Sequence, residues 1–355
     1  MQLKEGQLGW GKKLGLWLLP LLLVLLVVMV ASVSLGSARL SFSTVWKIIL
    51  SHVPFMPEFT KEWSNSAEII VWNIRMPRIL VGVLVGAALA VSGVAYQGVL
   101  RNPLADPYVL GVSSGASLGA ASFILFGQEL LFAGRWTLPL IAFICGVGTL
   151  LVVYRLAYIG GKVQPETLLL AGVVVQAFLG AGLSLVMSMS GEKMQTILYW
   201  LMGSLTLSDW SSGMVIVPYV LGGALVIFLF ARELNLLTLG EQKAHHLGMN
   251  VERTRLIVLL AASLTAGAAV AVSGVIGFVG LVVPHIMRSL VGSDHRVLLP
   301  VSAIAGAILL TIADTAARTI MEPQELPIGV ITAFLGAPFF GYLLRKRRRG
   351  LWYHE

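Results

Sequence analysis

About ten apolar runs, each close to the length that crosses a lipid bilayer, recur along this chain, and no soluble core could bury them all. A hydrocarbon layer about 30 Å thick asks a helix for about 20 consecutive apolar residues. Runs bounded by glycine, proline and charge meet that demand at 14–35, 78–100, 109–126, 137–159, 166–189, 212–230, 254–272, 276–291, 297–316 and 328–344. Only 12% of the residues are charged, against about 25% in an ordinary globular chain. The sequence therefore reads as an all-α integral membrane protein of about ten transmembrane helices, forming one domain over residues 1–355.

The net charge of +8 could point to nucleic acid, but its placement does not. Lysines and arginines stand at the ends of apolar runs, and the densest cluster, Arg345 to Arg349, directly follows the last one. Membrane proteins mark their cytoplasmic side in this way. The first run, preceded by Lys12 and Lys13, resembles a signal peptide but is longer than the usual apolar region of about 7–15 residues, so it is read as a span. Ten spans put both termini on one side. With both termini cytoplasmic, most of the 25 Lys and Arg fall inside, including Arg101, Arg155, Arg253, Arg255, Arg288 and Arg296. The polar and aromatic stretch 36–74 then becomes an extracytoplasmic loop, with a short amphipathic piece at 43–50.

The chain also repeats itself. Residues 86–94 read GAALAVSGV and residues 267–275 read GAAVAVSGV, differing at one position. The same register aligns Pro103 with Pro284 and Gly111 with Gly292. In this topology the two copies cross the membrane in opposite directions, giving inverted halves at about 75–205 and 251–345. Inverted repeats mark transporters whose pathway lies where the halves meet. Glycines at 82 and 86, and at 111, 115 and 119, are spaced to let helices approach closely. Gly274, Gly277 and Gly280, three apart, would leave one helix face nearly bare.

Reactive chemistry is scarce. The lone cysteine, Cys145, supports neither a disulfide framework nor a thiolate metal site. Asp314 is the one acid well inside an expected span, and would be the coupling group if the chain were an ion-driven secondary carrier. His245 and His246 are adjacent, so they diverge on a helix and read as solvated residues. No metal or catalytic motif stands out. The string GQLGWGKK at 6–13 resembles a phosphate-binding loop, yet Lys13 stands where Ser or Thr should hold magnesium, and no strand precedes it. Any motor would belong to another chain.

Five blocks are more specific: RMPRILVGVLVGAALAVSG (75–93), QGVLRNPLADPYVLGVSSGASLG (97–119), GFVGLVVPHIMR (277–288), SDHRVLLP (293–300) and ELPIGVITAFLGAPFFGYLL (325–344). In this order they resemble the FecCD/BtuC-like permeases that import iron–siderophore complexes, haem and cobalamin. The resemblance implies the type II ABC importer permease fold. It also implies a homodimer served by two cytoplasmic ATPase subunits, which hold ATP and magnesium, and by an extracytoplasmic substrate-binding protein. The chain itself would be a transport subunit without an ATPase site or cofactor, in the cytoplasmic membrane of a bacterium or archaeon, with lipid and not nucleic acid around it. Its cargo would be an iron complex, siderophore or haem, with cobalamin as the alternative.

The resemblance also assigns residues. Arg75, Arg78 and Arg318 fall where the family's arginines receive acidic groups of the binding protein, a task suited to the planar guanidinium fork. The segment 232–250 resembles the coupling segment that docks on the ATPase, with Leu239, Gly240, Glu241, Ala244, Leu247 and Gly248 in the expected pattern. Asn102 and Leu104, in the RNPLADP turn, match residues that narrow the cytoplasmic end of the pathway. Pro165 and Glu166 occupy the partner positions, where small hydroxyl residues are expected. Proline suits a helix's first turn and glutamate its positive end, so this chain departs from the pattern there.

Overall fold

The computed structural model describes residues 9–36, 38, 40–53, 60–127 and 134–351. Part of the 6–13 string, part of the 36–74 stretch and the side chains of the basic tail beyond Arg345 lie outside the description. Fifteen α-helices follow one another: α1 (Trp10–Ser34), α2 (Phe42–Ser51), α3 (Asn65–Glu68), α4 (Met76–Val99), α5 (Val112–Phe126), α6 (Thr137–Ala157), α7 (Pro165–Ser188) and α8 (Met194–Leu201), then α9 (Trp210–Leu229), α10 (Ala231–Leu237), α11 (Glu241–His246), α12 (Val251–Ser273), α13 (Val279–Val291), α14 (His295–Thr319) and α15 (Ile328–Leu351). Each of the ten expected spans is a helix. Among the described residues, seven helical stretches are long and apolar enough to cross a membrane; α2, α5, α13 and the 328–342 part of α15 are shorter apolar helices.

Local chemistry sets many of the helix starts. Pro165 occupies the first turn of α7, where a missing N–H costs nothing. Asp209 caps α9 by accepting from the Ser212 N–H at 2.9 Å, and Asn250 caps α12 by accepting from the Arg253 N–H at 3.0 Å. Between α6 and α7 the strands Tyr158–Ile159 and Lys162–Val163 pair as a small hairpin. Its Gly160 and Gly161 both have positive φ, the requirement of a tight two-residue turn.

The structure corrects three expectations. The second span begins well before Arg78: α3, a π-helical stretch Ile69–Arg75 and α4 run on as one 35-residue helical unit, so the end of the 36–74 stretch is helix and not loop. Gly274, Gly277 and Gly280 do not share a helix face, because α12 ends at Ser273, Gly274 turns the chain at φ +68, and Gly280 lies in α13. The repeat register fails beyond GAALAVSGV. Pro103 lies in the turn after α4 whereas Pro284 is inside α13, and Gly111 precedes a helix whereas Gly292 ends one.

Helices α4, α12 and α14 form the buried centre, while α1, α7 and α9 are mostly exposed flanks. A methyl group added at Gly86 would overlap the Gly306 carbonyl, and one at Gly306 would overlap that of Gly86. Only glycine at both places lets α4 and α14 touch backbone to backbone. Gly115 and Gly119 play the same part for α5 against Cys145 and Thr149 of α6.

Contacts define two ends of the bundle. At one, Arg78 meets Glu325, Gly82 lies beside Leu205, and the Ser204 N–H donates to the Ser273 carbonyl at 2.8 Å. The N-terminus of α4 and the C-terminus of α12 therefore share an end, and the two GAA-type copies run antiparallel. At the opposite end, Arg255 near the start of α12 lies close to Val163 and Glu241. That second end also gathers the start of α1, since Trp10 lies 5.5 Å from the Arg296 guanidinium.

Candidate functional site

At the first end, three arginines are buried and occupied. Arg78 places its Nε 3.0 Å and its Nη2 2.9 Å from Asp314 Oδ1, while its Nη1 donates to Glu325 at 2.9 Å. Arg318 reaches Asp314 at 3.2 Å and donates to the Ser32 hydroxyl at 2.9 Å. Arg75 donates to the carbonyls of Val33 and Ala38 at 2.8 and 2.7 Å. None of the three presents a free guanidinium: their exposures are 4%, 4% and 6%. The carbonyls they bind come from the end of α1 and the chain just after it. An arginine here that received a carboxylate from another protein would first have to release an internal acceptor.

Asp314, the one acid well inside an expected span, is thus the shared counter-charge of Arg78 and Arg318. Removing one member of so buried a set strands a charge, which makes the position structural on energetic grounds alone. An ion-driven carrier would need this carboxylate to exchange its two arginines for the ion. Glu325 is different: it is 38% exposed at the side chain and also accepts from the Thr206 hydroxyl at 2.9 Å. It borders a cavity of about 850 Å³, whose walls include Trp136, Tyr199, Trp200, Thr206 and Pro327.

Irregular backbone near this cavity is satisfied internally, as a lipid setting requires. The Ile328 and Gly329 N–H groups donate to Gly203 and Met202, and the Tyr108 hydroxyl donates to the Ile276 carbonyl at 3.0 Å. A second groove, of about 600 Å³, lies between the end of α8, the 275–278 turn and α15, lined by Met202, Phe278, Val330, Phe334 and Pro338. Phe278 holds φ at +70, rare for a bulky residue. Its ring packs where only a glycine, Gly336, leaves room.

At the second end the 232–250 segment folds as two short helices, α10 and α11, with Gly240 between them at φ +103. Ala244 is buried, whereas Leu239 and Leu247 are 53% and 61% exposed. Gly248, also at positive φ, closes α11. His245 and His246 are both exposed. Asn235 ties α10 to the start of α14: its amide donates to Asp294 at 2.8 Å and its carbonyl accepts from the His295 N–H at 2.9 Å. A hydrogen bond from Arg296 holds the Asp294 carboxyl well below the usual range, at about 2, against the opposing effect of burial.

Glu241 ties α11 to the rest. Its Oε1 is 2.5 Å from Arg255 Nη2 and 3.6 Å from Arg101 Nη2. Arg255 is 1% exposed and also donates to Glu252 at 3.0 Å and to the Val163 carbonyl. Asn102 and Leu104 follow Arg101 directly, and the Asn102 side chain accepts from the Leu104 N–H at 2.9 Å, which closes the turn on itself. Leu104 is 39% exposed. Pro165 is buried at the start of α7 and Glu166 is exposed beside it, two residues beyond Val163. The structure thus gathers the 101–106 turn, the approach to α7 and the 232–250 segment at one end of the molecule.

From the sequence Arg255 reads only as an inward-facing cation, Glu325 only as the first residue of the 325–344 block, and Asn235 only as part of the 232–250 segment. The i, i+3 spacing of Glu252 and Arg255 was a usable signal for a paired cation. Nothing local foretold the partners of Arg78, which lie more than two hundred residues away.

Comparison with known proteins agrees with this architecture. A hemin transport system permease of Yersinia pestis is 42% identical over 336 residues, covering 93% of this chain and 96% of the relative. A cobalamin import system permease of Halobacterium salinarum is 47% identical over 284 residues, covering 80% of this chain and 75% of the relative. Among solved structures, an inward-facing transporter of the metal-chelate ABC type superimposes with a TM-score of 0.76 at 33% identity, over 93% of this chain and 98% of that one. The model of the FecCD transport family matches residues 23–346. The chain is a multi-pass membrane protein and belongs to the FecCD transport family.

Proposed function

We propose that this chain is the permease subunit of an ATP-driven importer that passes an iron complex, siderophore or haem, from an external binding protein into the cell. The observation that carries the reading is the folded 232–250 segment. It is anchored to the bundle through Asn235 and Glu241, yet it turns Leu239 and Leu247 outward. Apolar side chains held open on an ordered segment suit a docking surface, and the family relation supports an ATPase subunit as the partner. ATP and magnesium would be held there. In this reading Leu239, Gly240, Glu241, Ala244, Leu247 and Gly248 form the ATPase contact. Asn102, Leu104, Pro165 and Glu166 border the cytoplasmic mouth, which makes the second end of the bundle cytoplasmic, together with both termini.

The binding protein would then dock at the arginine end. Arg75, Arg78 and Arg318 would brace the docking face, and would receive acidic groups of the partner by releasing the internal acceptors they now hold. A second copy of the chain would complete the pathway. That arrangement would be a permease homodimer in the membrane, as the family resemblance implies. Cobalamin is the second reading for the cargo, favoured by the 47% identity with a cobalamin permease.

Affinity purification from native membranes in mild detergent tests the class. A co-purifying subunit with a phosphate-binding loop is the expected result. Repeated recovery of the chain alone, under conditions that preserve other such complexes, would contradict it. Competition among haem, ferric siderophores and cobalamin for uptake then separates the cargoes.

A further inference from the structure

Glu241 is the only carboxylate that pairs with cations on two different elements outside its own segment at this end, among the described residues. On one side stands Arg255, fixed by burial and by its bonds to Glu252 and Val163. On the other stands Arg101, the first residue of the turn that carries Asn102 and Leu104. Arg101 Nη1 also lies 4.0 Å from the place a side chain would occupy at Gly240, so the guanidinium covers the entry to α11.

The backbone adds an independent observation. Arg101 has φ +49, in the left-handed region, just after the last turn of α4. Glycine is the residue that ends a helix there without strain. An arginine tolerated in that conformation signals a use for its side chain. Stability does not supply that use: at 42% and 35% side-chain exposure, the Arg101–Glu241 pair is of the open type that adds little to folding. A contact that passes on a movement has other requirements. It has to join the two moving parts and differ between their states, and it need not be strong.

We propose that Arg101, Glu241 and Arg255 form the linkage through which displacement of the 238–250 segment reaches the 101–106 turn, with Arg101 as the positioning residue on the turn. The inference rests on the reading of that segment as an ATPase contact. Through Val163, the same buried Arg255 reaches the approach to Pro165 and Glu166. One carboxylate and two guanidiniums therefore touch both borders of the mouth.

The test uses the assembled permease–ATPase complex in lipid nanodiscs, with Cys145→Ala and Leu104→Cys introduced to report on the turn. The maleimide labelling rate at position 104 is compared with and without ATP, at equal amounts of assembled complex. In this parent, ATP is expected to change the rate about fivefold or more, the lower end of ordinary coupling between sites. Arg101→Gly is expected to abolish the change while melting at or above the parent temperature, because glycine relieves the backbone. Arg101→Lys, which keeps the charge, should retain the ATP response. Glu241→Gln provides a second route should Arg101→Gly not assemble, and should also abolish the response. An Arg101→Gly or Glu241→Gln complex that responds to ATP like the parent would overturn the linkage. A parent that assembles without any response at position 104 would instead overturn the reading beneath it, and the linkage with it.

Discussion

At one end of the bundle Arg75, Arg78 and Arg318 expose no more than 6% of their surface and spend their donors on internal carbonyls, a hydroxyl and two carboxylates. At the other end, Arg101 and Glu241 meet at 3.6 Å with 42% and 35% of their side chains open. The chemical groups are alike, and their surroundings give them different work. A buried, paired guanidinium fixes geometry, because exchanging its partner strands a charge away from water. A half-exposed pair can be exchanged for water at small cost, which suits a joint that has to move. The end that would receive a binding protein is thus built as a brace, and the end that would meet the motor as a hinge with one firm side, Arg255.

The comparison can be broken most readily at Asp314. Asp314→Ala should lower the melting temperature of the purified permease by the equivalent of about 3–5 kcal/mol, since Arg78 and Arg318 lose a common partner. A loss no larger than that from an open surface pair would mean the brace is not one. Gly86→Ala probes the helix contact beneath it and should cost about 1–3 kcal/mol, the range for forcing a methyl group into a packed seam. Asn235→Ala, which unties α10 from α14, should cost about 1–2 kcal/mol for the buried groups it leaves unpaired. Glu241→Gln should cost no more than about 1 kcal/mol in the same melt, as exposed pairs do. A larger loss would make that end a brace as well.

The smallest effect concerns pH. With its folded value depressed to about 2 by Arg296, Asp294 contributes stability above the ordinary carboxylate range and loses it as pH falls through about 2. Between pH 7 and pH 5 the melting temperature should therefore not depend on this group, and Asp294→Asn should remove whatever acid-side slope it supplies.

Much of the fold was legible because a lipid-facing helix writes its length into composition. All ten runs became helices, including α5 and α13, which are short by that measure but lie among other helices. The helical stretch at 65–75 was not legible, since Asn65, Glu68, Trp72 and Asn73 break the apolar run and the chain there is held by packing against α1 and α2. The 232–250 and 101–106 segments were legible through resemblance, which named Glu241 and Asn102 but not the cations between them. Pairings such as Arg78 with Asp314 join residues far apart in the chain, and a single sequence carries no trace of them. The nine-residue echo falls in α4 and α12, which cross antiparallel, and its register does not extend further because a helix break displaces everything after Gly274.

The most direct test of the central claim is uptake by proteoliposomes containing this chain with its ATPase subunits. Ferric siderophore or haem, loaded on the binding protein, is supplied outside and ATP inside. The account predicts accumulation that requires internal ATP and survives collapse of proton and sodium gradients. Accumulation by the permease alone, driven by such a gradient and indifferent to ATP, would contradict it.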